Sequence, residues 1–381
     1  MTFAPAARLA GIEKSVIRQI YDRAPGDAIN LGLGEPDFPT PTVIREEAIQ
    51  FIRKEKIRYT PNAGLLELRR AIAGYYGDET KYENVCVTNG SQEALFVALM
   101  ALINPGDEVL LPDPGFLAYP TLVRMAGGKP VFYQLPAPKN FEFDPQDFQR
   151  QVNANTRAVI ITSPSNPTGR VLKPGDLQII ANALLNSEVV VIADEIYREL
   201  YFDERPASIA DFYPRTIIIS GLSKSHAMTG WRLGWIYGDP EIIRHLIVLH
   251  QYATTCASAV SQRAALAAFT DAGRAAPENF RAELRARRDF LIEQIDSQLA
   301  EFKLNRIAPD GAFYLMLEVS PFGKSFEVAE RLLQYKVITI PGAAFGKEAE
   351  GYLRLSFATD FETIRAGVQR IKQGLNNIRK L

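Results

Sequence analysis

Only two cysteines, three histidines and two tryptophans are spread through 381 residues, and no apolar run reaches the length needed to span a bilayer. Cys86 and Cys256 both sit in apolar stretches, which excludes a disulfide framework and a thiolate zinc cluster and suits a reducing compartment. His245 and His250 are five apart, not the i, i+4 of a helical metal pair, and His226 stands alone. The histidines are therefore read as structural or solvated, and no metal is expected. Charge of one sign is also missing: 43 Lys plus Arg face 44 Asp plus Glu, so no overall field draws in nucleic acid or an anionic membrane, and any anion site must be local. Met1 to Ala10 lack a long apolar run behind a basic patch, so no targeting segment is expected and a cytoplasmic location is the default.

What is present is an ordinary globular composition, 47% hydrophobic and 23% charged, in a chain long enough to need more than one core. From about Asn84 to Tyr237 short β-rich runs alternate with helical stretches: Val85 to Thr88, Glu108 to Leu111, Val131 to Gln134, Ala158 to Thr162, Val189 to Ala193, Thr216 to Ser220 and Arg232 to Tyr237. Continuous apolar character marks strands covered on both faces, and so a three-layer α/β domain with a mostly parallel sheet. After about Glu278 the pattern becomes a long charged helix (Asn279 to Gln298), an apolar strand (Ala312 to Val319), another helix, two short strands and a closing helix (Phe361 to Asn376), which reads as a smaller α+β lobe. The expected division is a leading segment, 1–38, packing on the small lobe, a large domain over 39–278 and a small domain over 279–381.

In open α/β sheets ligands sit beyond the carboxyl ends of the strands, so the residues just after each apolar run are inspected first. Asn89-Gly90-Ser91-Gln92 follows the first run and opens a helix (Glu93 to Ile103); its free amides suit a phosphate, although Ser91 as a plain N-cap would look the same. Asp194 ends the run Val189 to Ala193, with Tyr197 three residues on. A carboxylate there needs a cationic or hydrogen-bonding partner such as a protonated pyridine nitrogen, unless it merely caps the next helix. Lys224, among small residues beyond the run Thr216 to Ser220, can be desolvated into a nucleophilic amine, and Arg232 at the start of the next strand can neutralise a phosphate beside it. Ser163-Pro-Ser-Asn166-Pro-Thr-Gly169 fixes a rigid turn that holds the Asn166 amide towards a phenolate oxygen, or serves only as a turn. Phe116, on the loop Pro112 to Tyr119, offers a flat face to a heteroaromatic ring or belongs to the core. Arg354, inside the apolar strand Tyr352 to Phe357, demands an anion, which is either a substrate carboxylate or an internal salt bridge.

Taken together, Asn166-Pro-Thr-Gly, Asp194-x-x-Tyr197, Ser-Lys224-x-x-x-Met-Thr-Gly-Trp-Arg232 and Arg354-Leu-Ser-Phe resemble the class I aminotransferases of the aspartate-aminotransferase superfamily, from about Gly34 to the C-terminus. The resemblance implies pyridoxal-phosphate fold type I and the cofactor pyridoxal 5′-phosphate. It implies Lys224 as covalent anchor and proton carrier, Asp194 on the pyridinium nitrogen, Asn166 and Tyr197 on the ring hydroxyl and Phe116 on the ring face. Gly90, Ser91, Gln92, Ser223 and Arg232 would hold the phosphate, with Tyr59 reaching it from a neighbouring subunit, so a homodimer with shared sites is implied. Gly34, Asn166 and Arg354 would hold the substrate carboxylate, and the reaction would be a ping-pong exchange between an amino acid and a 2-oxo acid, with 2-oxoglutarate as acceptor. One departure is Gly221, where many relatives carry a phosphate-binding serine three residues before the lysine; Ser220 and Ser223 flank it.

A carbon–sulfur β-lyase of the same fold would use the same residues and is separated by its products, pyruvate and a thiol without demand for an acceptor. A nucleotide-binding protein is disfavoured: Gly323-Lys324-Ser325 lacks the glycine five residues earlier, where Glu318 stands, and Gly32-x-Gly34 lacks the rest of a dinucleotide fingerprint. Aspartate, an aromatic amino acid and an acylated diaminopimelate remain as candidate substrates.

Overall fold

The computed structural model describes residues 6–378; Met1 to Pro5, the start of the stretch read for a targeting signal, and Arg379 to Leu381 lie outside the described residues. In chain order the strands are β1 (Ile29–Asn30), β2 (Val85–Thr88), β3 (Glu108–Asp113), β4 (Lys129–Gln134), β5 (Thr156–Thr162), β6 (Val190–Asp194), β7 (Thr216–Gly221), β8 (Gly234–Tyr237), β9 (Arg306–Ile307), β10 (Tyr314–Glu318), β11 (Val337–Ile338), β12 (Ile340–Pro341) and β13 (Tyr352–Ser356).

Seven of them form one sheet in the order β2-β8-β7-β6-β5-β3-β4, in which β8 runs antiparallel to both neighbours and the other pairs are parallel. Residues along β2, β3, β6 and β7 are buried from end to end, which is why their apolar runs are continuous. The period of two still decides the partner. Ile160, Ile192 and Ile219 pack with the helices Ser91–Leu102, Ala118–Met125 and Pro240–Thr254, whereas Val159, Val191 and Ile218 pack with Pro145–Gln151 and Pro174–Leu184 on the opposite face. Each such side chain contributes about 1.5–3 kcal/mol by leaving water. The parallel strands bring the carboxyl ends of β3, β5, β6 and β7 to one edge.

The second body is the antiparallel sheet β12-β13-β10-β9, packed against the helices Ala276–Gln298, Ser325–Gln334 and Phe361–Ile378. β1 pairs in parallel with β11, and Leu31 is buried among Val337, Ile364 and Val368 of that core. Two details differ from the sequence reading for a backbone reason. Arg232 does not begin a strand: its φ of +53° places it in the turn before β8. Ala312 likewise has φ +56°, so the strand expected from Ala312 starts at Tyr314. Three short strands, not two, separate the last two helices. Among the described residues no helix is long and apolar enough to cross a membrane.

Candidate active site

At the carboxyl edge of the large sheet lies a cavity of about 280 Å³ whose wall includes Gly34, Ser91, Gln92, Phe116, Asn166 and Asp194, together with Tyr197, Ser223, Lys224, Arg232 and Arg354. Phe116, Asn166, Asp194 and Lys224 converge because β3, β5, β6 and β7 run in parallel and deliver the residues at or after their ends to the same side, while Gly34 and Arg354 reach the cavity from the smaller body.

One end is built for an anion. Gly90, at φ +90°, is the N-cap of the helix Ser91–Leu102, and no side chain caps it. Ser91 is the first helical residue, so the alternative of Ser91 as a capping side chain does not hold; its amide and that of Gln92 stand among the unbonded donors at the positive end of the helix dipole. The Arg232 guanidinium lies against Gly90 so closely that a Cβ there would collide with it. It donates to the carbonyls of Thr229 (2.9 Å) and Asn89 (3.4 Å) and, among the described residues, makes no ion pair. Ser223 faces this cavity, while Ser220 lines a different one. Gly221 has no room for a side chain, since a Cβ would lie 2.9 Å from the Leu233 carbonyl oxygen.

Across the cavity Asp194 ends β6, 5% exposed. Its Oδ2 accepts from the Tyr119 hydroxyl at 2.7 Å and its Oδ1 from the Ile196 amide at 3.3 Å. A turn follows, not a helix, so the capping alternative fails. Burial pushes the carboxyl pKa up, against the Tyr119 and Ile196 hydrogen bonds and the more distant Lys224 charge. Lys224 Nζ donates to the Gly34 carbonyl at 2.5 Å. Burial brings its pKa down to about 8; Glu35 and Asp194 oppose the fall and Arg354 and Arg232 deepen it. An amine in that range is part neutral at physiological pH.

Arg354 lies in the middle of β13, 1% exposed, with Tyr314 and Phe345 against it at 4.2 and 4.7 Å from ring centroid to guanidinium carbon. Its Nη1 donates to Asn166 Oδ1 at 2.7 Å and its Nη2 to the Gly32 carbonyl at 2.5 Å, and its buried Nε has no partner among the described residues. The internal salt bridge weighed above is absent among the described residues: neutral groups aim this cation and leave its charge uncompensated. Tyr197 shares a 2.7 Å hydrogen bond with the Tyr314 hydroxyl, and Phe116 packs edge-on against Tyr119.

Tyr59 stands apart, 88% exposed and outside the cavity wall. Sequence reading missed Tyr119 and Tyr314. Tyr119 lies three residues beyond Phe116, on the same helical approach, and that spacing was a usable signal; Tyr314 sits in an apolar strand where an aromatic looks like any core residue.

The donor set fits pyridoxal phosphate: an anion cradle with an arginine, a buried acid for the ring nitrogen, an amine of lowered pKa and a flat aromatic. Among the described residues no group of three or more His, Cys, Asp or Glu is placed to hold a metal ion.

The family model for aminotransferase class I and II matches residues 26–371. A probable aspartate aminotransferase of Methanocaldococcus jannaschii is 36% identical, covering 97% of this chain and 99% of that one. A probable N-acetyl-LL-diaminopimelate aminotransferase of Bacillus subtilis is also 36% identical, over 91% of this chain and 88% of the relative. The solved aspartate aminotransferase of Thermus thermophilus with maleate superposes with a TM-score of 0.92 at 32% identity, covering 98% and 100% of the two chains.

Proposed function

The chain belongs to the class I and II aminotransferases, and from that membership we propose how its own residues carry out the reaction. It is a pyridoxal-phosphate-dependent enzyme that moves amino groups between amino acids and 2-oxo acids. In our reading Lys224 anchors the cofactor, Asp194 faces the ring nitrogen, Asn166 and Tyr197 meet the ring hydroxyl, and Phe116 covers the ring. Gly90, Ser91, Gln92, Ser223 and Arg232 hold the phosphate, joined by Tyr59 from a second copy of the chain. Arg354, with Gly34 and Asn166, takes the substrate α-carboxylate. The observation that carries this reading is Arg354, buried with no carboxylate beside it among the described residues and aimed by Asn166 into the same small cavity as a lysine whose pKa is lowered.

When bound, pyridoxal phosphate supplies the electron sink for the pair released at the substrate α-carbon. The side chains supply the rest. The Arg354 fork fixes the carboxylate in two parallel hydrogen bonds and so orients the α C–H bond. Lys224 Nζ, part neutral, would take the α-proton and pass it to the cofactor side within the same half-reaction, and in the opposite half-reaction the same relay would return a proton to the α-carbon of the new substrate. Asp194, held by Tyr119 and the Ile196 amide, keeps a proton on the ring nitrogen. The buried surround excludes water and so strengthens each of these interactions.

A homodimer is part of the same proposal. Ile52, Ile57, Tyr59 and Tyr252 are 53–88% exposed, and an Asn62-to-Thr255 hydrogen bond of 2.7 Å ties the Tyr59 segment to the end of the Tyr252 helix, a patch suited to a second copy. A large unit over 39–278, with 1–38 joining a smaller one over 279–381, and a cytoplasmic location also belong to it; both cysteines are free, which supports a reducing compartment. 2-Oxoglutarate is taken as the acceptor, with aspartate, an aromatic amino acid or an acylated diaminopimelate as donor. Borohydride reduction of the pyridoxal-phosphate-loaded protein, followed by peptide mapping, should place the label on Lys224, and a donor panel with 2-oxoglutarate should then rank the substrates. A label on another lysine, or none, sinks the assignment.

A further inference from the structure

We propose that the chain carries a second small-molecule site, back to back with the catalytic cavity, that takes an aromatic organic ammonium ion and tunes carboxylate binding at Arg354. A cavity of about 390 Å³ lies behind the turn that follows β5. Thr162 belongs to the walls of both cavities. The inner wall is aromatic and apolar, with Tyr133, Leu135, Phe141 and Phe143. Ser165 lines it as well, 4% exposed, and its Oγ has no hydrogen-bond partner among the described residues. A buried hydroxyl without a partner costs free energy that a polar ligand atom recovers.

The charge of the wall selects the ligand. Arg170 is engaged with Asp310 at 3.2 Å and with the Asn140 carbonyl at 2.9 Å. Asp203 is likewise met by Arg285 at 3.5 Å, and with both pairs set aside Glu142, Asp176 and Glu204 face Lys173. The excess is acidic, so carboxylate substrates are repelled, whereas a cation with an aromatic body is matched by both the field and the ring faces. The volume admits a single-ring amine.

The site is joined to the catalytic one by covalent neighbours. Ser165 precedes Asn166, which aims Arg354. The same turn accepts, at the Gly169 carbonyl, the amides of Asp310 (3.0 Å) and Gly311 (2.9 Å), on the segment leading to Tyr314 beneath Arg354. Occupancy therefore bears on the Asn166–Arg354 contact, and through it on KM.

The probe is N,N-dimethyltyramine: cationic, single-ringed, with a hydroxyl at its far end and no primary amine to condense with an aldehyde. Calorimetry on the pyridoxal-phosphate-loaded enzyme should show saturable binding that maleate does not displace. Asp203→Lys with Glu204→Lys, both at exposed positions, should weaken it by about tenfold or more. Ser165→Ala should weaken it about threefold, and the carboxylate analogue 3-(4-hydroxyphenyl)propanoate should not compete. Saturating probe should change KM for the 2-oxo acid by about twofold or more while kcat holds. No saturation by about 10 mM, displacement by maleate, indifference to the charge reversal, or an unmoved KM would each overturn the proposal.

Discussion

Asp194 and Glu195 are consecutive, both carboxyls are buried, and burial pushes both pKa values up. They are treated differently. Glu195 has the Arg198 guanidinium at 3.1 Å and the Ser208 hydroxyl, so its charge is answered inside the protein. Asp194 faces the cavity with one tyrosine hydroxyl and one amide, and the charge on Lys224 lies beyond ion-pair distance. The arginines repeat the contrast. Arg287 is held between Asp37 at 2.6 Å and Glu283 at 2.9 Å, whereas Arg354, more deeply buried, meets no acid among the described residues. Desolvating a charge is costly unless it is compensated. A region where compensation is complete is holding the fold together; one where it is withheld is shaped for a ligand that brings the missing charge.

That contrast is sharpest at Lys224. Lys224→Ala should lower turnover by roughly four orders of magnitude, about 5 kcal/mol of barrier, and remove the borohydride-stable label. The cofactor-free variant should not melt lower than the parent. The amine titrates near 8 in the fold against 10.5 as the ordinary value. The unfolded chain therefore binds more protons between those values, and parent stability rises with pH across that window. Below it the amine is protonated in both states and the cost of its burial is undiminished. Thermal melts from pH 7 to 10 should show this rise in the cofactor-free parent and not in the variant.

Breaking the carboxylate pair apart comes next. Asp194→Asn should cost about 3 kcal/mol of barrier, a fall in rate of some hundredfold or more, with the melting temperature held. Glu195→Gln should do the reverse, losing about 3 kcal/mol of stability, because it leaves Arg198 without its counter-charge, at little cost in rate per folded molecule. If Glu195→Gln lost the rate and Asp194→Asn the stability, the division between satisfied and unsatisfied charge would fail.

The legible and the hidden parts of this site follow the same line. The sheet could be read because strands buried on both faces leave uninterrupted apolar runs, and Asp194, Lys224 and Asn166 stood out because each breaks or follows such a run with a polar residue. Tyr314 does not break its strand; only the fold shows its hydroxyl on Tyr197 and its ring under Arg354. Arg287 is one cation among many in a helix that reads as charged, Arg354 the single cation of an apolar strand, and only packing shows that, among the described residues, the first meets acids and the second none. The turn at Arg232 was hidden for a local reason: a left-handed φ at a non-glycine residue leaves no pattern in the sequence.

Arg354→Lys should raise KM for amino and oxo substrates alike by about tenfold, with kcat changed less, because a fork becomes a point charge. Arg287→Lys should leave KM alone and lower the melting temperature by a few degrees.

The smallest expected effect tests what Tyr314 contributes to the uncompensated side of the contrast, since its ring and its hydroxyl serve different neighbours. Tyr314→Phe keeps the ring 4.2 Å from the Arg354 guanidinium carbon and removes only the hydroxyl that bonds Tyr197. If the hydroxyl positions Tyr197 for the cofactor, this change should weaken cofactor affinity by about fivefold, near 1 kcal/mol, and leave KM for the carboxylate substrate unchanged. Tyr314→Leu removes the ring as well, so the guanidinium loses a face that favours its charge in the absence of an acid, and KM should then rise. Equal KM in both variants would mean that Asn166, the Gly32 carbonyl and the Phe345 ring hold Arg354 in place without the Tyr314 ring, and that this ring is packing and nothing more.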